Sequence, residues 1–68
     1  MERLREKMGK KGYKVLDIYG NDEGFTVKFF YAHDYGELFI MNGKVAIIGG
    51  HVHIDTIELV NNIVGGEE

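Results

Sequence analysis

Residues 37–49 read Glu37-Leu38-Phe39-Ile40-Met41-Asn42-Gly43-Lys44-Val45-Ala46-Ile47-Ile48-Gly49. Two apolar runs flank an Asn-Gly pair. Both central residues of a type I′ turn need positive φ, which Asn and Gly tolerate. The stretch therefore predicts a β-hairpin, and its two-residue loop sets the register. Met41 pairs with Lys44, Ile40 with Val45, Phe39 with Ala46 and Leu38 with Ile47. Side chains alternate across a strand. Leu38, Ile40, Val45 and Ile47 then share one face, and Phe39, Met41, Ala46 and Ile48 share the other. An antiparallel sheet with one wet side carries polar residues there, but here both faces are apolar.

Upstream, Phe25, Val27, Phe29 and Tyr31 alternate with Thr26, Lys28 and Phe30, which predicts a strand over 25–32. Residues 13–19 are strand-like in composition. Gly20 to Gly24 and His33 to Gly36 read as turns. Residues 2–8 read as a short helix, with Met1, Leu4 and Met8 on one stripe and Gly9 and Gly12 as its stop. Downstream, Gly49-Gly50 breaks the last strand and His51 to Ile54 alternates. Asp55-Thr56-Ile57-Glu58 resembles a capping box with Asp55 as N-cap. Ile57, Val60, Ile63 and Val64 follow at helical spacing until Gly65-Gly66. A rival reading keeps 51–60 as one strand, because β-branched residues are frequent there. The cap and the terminal glycines favour the helix. The expected fold is α+β in a single domain over 1–68: a short N-terminal helix, a four-stranded antiparallel meander and a C-terminal helix.

The chain has 68 residues, with no Cys, no Pro, no Trp and no Ser. A domain this small buries only about 60% of the surface that its unfolded chain exposes, so a lone core is marginal. Without Cys there is neither a disulfide nor a thiolate metal site. Outside support must come from a second chain or from a metal held by nitrogen and oxygen. Something must also cover the second apolar sheet face: a helix on each side, or another copy of the chain. Apolar area of that kind usually marks an interface. The expected state is a homodimer with Phe30, Phe39, Met41 and Ile48 as contacts. No apolar run approaches the ~20 residues of a membrane span. The charged start, Met1-Glu2-Arg3-Leu4-Arg5, does not read as a secretory signal. The expectation is a cytoplasmic protein.

Charge is uneven. Residues 1–14 hold six cations against two acids, and the remainder holds two against nine, for a net −3. Arg3, Lys7 and Lys10 form a cationic stripe on the first helix. Lys11 and Lys14 extend it, and Tyr13 stands nearby to stack on a base. The alternative function that this stripe offers is a nucleic-acid surface at Arg3, Lys7, Lys10, Lys11 and Lys14. The element order is broadly similar to double-stranded-RNA-binding domains and small toxin ribonucleases. The fourth strand departs from that plan, and the net negative charge opposes it.

His51-Val52-His53-Ile54-Asp55 is the other chemical lead. On a strand, His51, His53 and Asp55 point one way and offer nitrogen and oxygen ligands to a divalent metal. The five residues look like a fragment of the metallo-β-lactamase-type ligand motif. Thr56 stands where that motif's next His belongs, and that fold needs far more chain, so the family is rejected. The competing reading is a polar strand face with Asp55 capping the helix. A metal there requires His33 or Asp34 to reach the same spot, or a dimer axis to supply a second set of ligands. Thr26 and Thr56 are the only aliphatic hydroxyls, neither in a catalytic context. No catalytic residue and no cofactor is expected. The protein reads as a non-enzymatic interaction module.

Overall fold

The computed structural model describes residues 2–66. Among them the chain forms α1 (Glu2–Lys10), β1 (Lys14–Asn21), β2 (Gly24–Tyr31), β3 (Asp34–Met41), β4 (Lys44–Gly50) and α2 (Ile54–Val64). The strands make one antiparallel sheet in the order β1-β2-β3-β4. This is the expected α+β meander between two helices. Met1 of the apolar stripe and the Glu67-Glu68 tail lie outside the described residues.

The β3–β4 register is the one that Asn42-Gly43 dictates: Met41 with Lys44, Ile40 with Val45, Phe39 with Ala46 and Leu38 with Ile47. Asn42 and Gly43 have φ of 53° and 75°. Two bulges interrupt the edge strands, one between Val15 and Asp17 and one at Ile48. Ile48 is the extra residue of its bulge, so two-residue alternation no longer assigns it a face. The β2–β3 turn also differs from expectation. Tyr31 pairs with Asp34, so the loop is Ala32-His33, and Asp34 to Gly36 belong to β3. Ala32 and His33 have φ of 53° and 70°. Register over eight residue pairs holds them in this conformation, which residues with a Cβ adopt at a cost of about 1–2 kcal/mol each.

Both helices lie on the same face. Leu4 and Met8 from α1 and Val60 and Ile63 from α2 pack with Tyr13, Val27, Phe29, Leu38 and Ile40 in a single core. Among the described residues the opposite face carries no helix. Gly9 does not stop α1, which runs on to Lys10. The Tyr13 amide bonds the Met8 carbonyl at 3.1 Å, and Gly12 at φ 95° turns the chain into β1. The Arg3 guanidinium donates to the Ile63 carbonyl and ties α1 to the last turn of α2, where helix carbonyls lack intrahelical donors.

The cap of α2 is also not the expected one. His53, extended at φ −78° and ψ 151°, is the N-cap and gives no side-chain cap bond. Its carbonyl accepts from the Thr56 amide at 3.0 Å. Asp55 sits inside the first turn, where its charge still complements the helix dipole. Thr56 faces inward and is 1% exposed, with Oγ1 2.7 Å from the Tyr13 hydroxyl. Tyr13 stacks on Tyr31 with ring centres 4.0 Å apart and meets Phe29 edge-on at 5.6 Å.

Tyr13→Phe removes the partner of a buried hydroxyl. It should cost about 1–3 kcal/mol, read as a drop of several degrees in melting midpoint. Adding Thr56→Val should recover part of the loss; no recovery would mean that the bond contributes little. Burial pushes the Tyr13 phenol above its usual value, with the Thr56 bond partly offsetting it. A folded pKa above the unfolded one supplies stability that is complete below pH ~10 and declines as pH rises further. Tyr13→Phe should therefore flatten the alkaline arm of the stability curve.

Candidate functional site

The helix-free sheet face is built by alternation. Tyr19, Thr26, Lys28, Phe30, Tyr35, Glu37, Phe39 and Met41 fall on it, because their neighbours at i±1 face the core and register partners share a face. Phe30 and Met41 are 42% and 49% exposed, and Tyr19 is similar. Phe39 is half-buried and lies across Gly24, where an added Cβ would stand 2.9 Å from its Cζ. Of the four expected contact residues, Phe30, Phe39 and Met41 lie on this face, and Ile48 sits exposed in the β4 bulge.

Lys28 and Glu37 are register partners at its centre, as are Phe30 and Tyr35 towards one end. The Tyr35 hydroxyl donates to Glu37 Oε1 at 2.8 Å, and Phe30 meets the Tyr35 ring edge-on at 5.4 Å. The Lys28 ammonium stands 5.4 Å from the centre of the Tyr19 ring, within cation–π range. Tyr19, then Tyr35 and Glu37, hold the Lys28 pKa above its usual value. The bond to Glu37 raises Tyr35, with desolvation and the Glu37 charge adding to it. At the other end a shallow depression of about 290 Å³ is lined by Phe39, Met41, Asn42, Lys44 and Ala46. The sequence marked the apolar members of this face. Its charged and phenolic members were legible only as alternation partners of core residues.

The His pair sits elsewhere, past the end of the core on the helix-bearing side. Asp34 alternates with Gly36, Leu38 and Ile40, which places it on that side at the start of β3. Residues 51–53 are unpaired as a strand, yet the His51 amide bonds the Tyr35 carbonyl at 2.8 Å. Gly50 makes that approach possible: at φ 73°, a Cβ would stand 2.1 Å from the Tyr35 oxygen. Val52 turns inward against Gly36 and joins the core margin, so His51 and His53 turn out to solvent together. Their ring centres are 5.0 Å apart. His53 Nε2 lies 3.4 Å from Asp34 Oδ2. Asp34, His51 and His53 bring one ligand atom each to within 4.8 Å of one another. Asp55, the carboxylate expected from strand alternation, is not in this group, because α2 begins at Ile54 and ends the alternation. Asp34 takes its place from the neighbouring hairpin.

The basic residues are partly engaged. Arg3 bonds α2, and Lys10 pairs with Glu6 at 3.7 Å. Lys7 is half-buried, while Lys11 and Lys14 are exposed. Tyr13 is buried in the core and is not available to stack on a base. Thr56 is bonded to Tyr13, and Thr26 is buried in the sheet.

Fold and site together define a small α+β domain: a four-stranded meander with two helices on one face, an aromatic and charged open face, and a His/His/Asp cluster at one end. Comparison with known protein families, curated proteins and solved structures finds no match to this chain. No helix among the described residues is long and apolar enough to cross a membrane.

Proposed function

We propose that this domain is a non-enzymatic self-association module of the cytoplasm, pairing two copies through the helix-free sheet faces. One observation carries the reading: the central register partners of that face are mutually complementary. A two-fold axis parallel to the strands between β2 and β3 sets every β2 residue opposite its own β3 partner in the second copy. Lys28 then meets Glu37 and Phe30 meets Tyr35, which is the self-complementarity that a two-fold interface needs. Edge pairing is disfavoured, because the exposed edge strands β1 and β4 both carry bulges, a device that blunts strand addition.

The face spans about 19 Å by 26 Å, from four strands ~4.8 Å apart and eight residues at ~3.3 Å each. That is the small end of specific interfaces, so the dimer should be weak and depend on concentration. The lack of Cys accords with the reducing cytoplasm. The basic residues support nucleic-acid binding less well, since Arg3 and Lys10 have partners within the fold and Tyr13 is buried.

Sedimentation equilibrium across micromolar to millimolar protein tests the reading. Lys28→Glu places like charges across the two-fold and should weaken association at least tenfold, as like-charge juxtaposition does. Glu37→Lys should do the same, and the double exchange should restore the dimer. A clean monomer at millimolar concentration, or single and double variants that associate equally, sinks the proposal.

A further inference from the structure

We infer that Asp34, His51 and His53 form a binding site for one divalent transition-metal ion of the zinc class, and that the ion pins the start of α2 to the β2–β3 hairpin. The site lies on the helix-bearing side and does not rest on sheet pairing. Three observations converge on it. The donor set, two imidazoles and one carboxylate, is that of borderline first-row ions. The spacing fits: ligands about 2.0–2.1 Å from a tetrahedral zinc stand roughly 3.3–3.4 Å apart. His53 Nε2 and Asp34 Oδ2 are at 3.4 Å, longer than the about 2.7–3.2 Å of an N–H···O bond. All three ligand atoms lie within 4.8 Å of one another, so small rotations of half-exposed side chains close the set.

The backbone beneath the ligands is the third observation. His51 is held by its amide bond to the Tyr35 carbonyl, Val52 is seated against Gly36, and His53 is fixed as the α2 N-cap. The backbone positions that carry the two imidazoles are therefore set without the metal. Three protein ligands leave at least one position to solvent, as zinc sites with three protein ligands do. The sequence separation makes the ion a staple between Asp34 and residues 51–53, and a core this small gains from a staple.

The test uses untagged full-length chain, stripped with a chelator and titrated with Zn²⁺ by calorimetry and with Co²⁺ by visible absorption. The expected result is one ion per chain, a Co²⁺ ligand-field band, and a melting midpoint that rises by several degrees with Zn²⁺. His51→Ala, His53→Ala and Asp34→Asn should each weaken binding at least tenfold. His33→Ala, an exposed imidazole next to the cluster, should leave affinity unchanged. No uptake at several hundred micromolar Zn²⁺ would overturn the site. So would binding that survives loss of His51 and His53, or that falls as far with His33→Ala.

Discussion

Phe29→Ala should leave this domain largely unfolded at room temperature. Phe29 is 2% exposed, pairs across the sheet with Gly36, and takes the edge-on contact from Tyr13. Gly36 has no side chain because the ring occupies that space: a Cβ there would stand 2.7 Å from Phe29 Cζ. The ring thus seals the sheet where β1, β2, β3 and the α2 entry converge. Removing a buried Phe ring costs about 3–5 kcal/mol. A single core in a chain below ~70 residues rarely supplies more than that. Far-UV circular dichroism with urea titration measures the result. Phe29→Leu, which keeps most of the volume, should retain a cooperative transition at reduced midpoint. A Phe29→Ala variant melting within a few degrees of the parent would show that the core tolerates the cavity and that the margin is larger than size implies.

Gly50→Ala should be the next most damaging change, and Gly43→Ala is its natural control. The two glycines have nearly the same φ, 73° and 75°. An added methyl at Gly43 meets nothing within 4 Å, whereas at Gly50 it meets the Tyr35 carbonyl oxygen at 2.1 Å and its carbon at 2.8 Å. Gly43→Ala therefore incurs only the left-handed backbone cost of about 1–2 kcal/mol. Gly50→Ala adds a clash with main chain that cannot rotate away. It should cost about 2–4 kcal/mol in all and break the His51 amide bond to Tyr35. Hydrogen exchange at the His51 amide should rise in Gly50→Ala and stay unchanged in Gly43→Ala. Equal effects of the two variants would refute the close approach. Because that bond seats His51, metal affinity should fall with it.

The parts of the fold that were legible in the sequence are those set by local backbone chemistry. Asn42-Gly43 needs no tertiary help to choose a type I′ turn, so the β3–β4 register followed from two residues. Alternation over 25–31 similarly assigned Phe25, Val27, Phe29 and Tyr31 to one face. The Ala32-His33 turn was not legible because neither residue favours positive φ. Cross-strand pairing on both sides imposes it. The Asp55 capping-box pattern misplaced the start of α2 for a related reason. Seating Val52 against Gly36 leaves His53 as the last extended residue, and the helix starts at once. That shift removed Asp55 from the His pair.

What the sequence determined by itself is the element order, the central hairpin register, and the excess of apolar side chains over one core. These depend on turn dihedrals and two-residue alternation, which act over a few neighbouring residues. Only the tertiary structure decided that both helices cover the same face and that Asp34 completes the His cluster. Helix placement depends on how Leu4, Met8, Val60 and Ile63 jointly fill one core with Val27, Phe29, Leu38 and Ile40. The Asp34 position depends on a bulge at Ile48 and a glycine at 50 that bring residues 17 and 19 positions apart into reach. Those are long-range packing outcomes, and no local propensity encodes them.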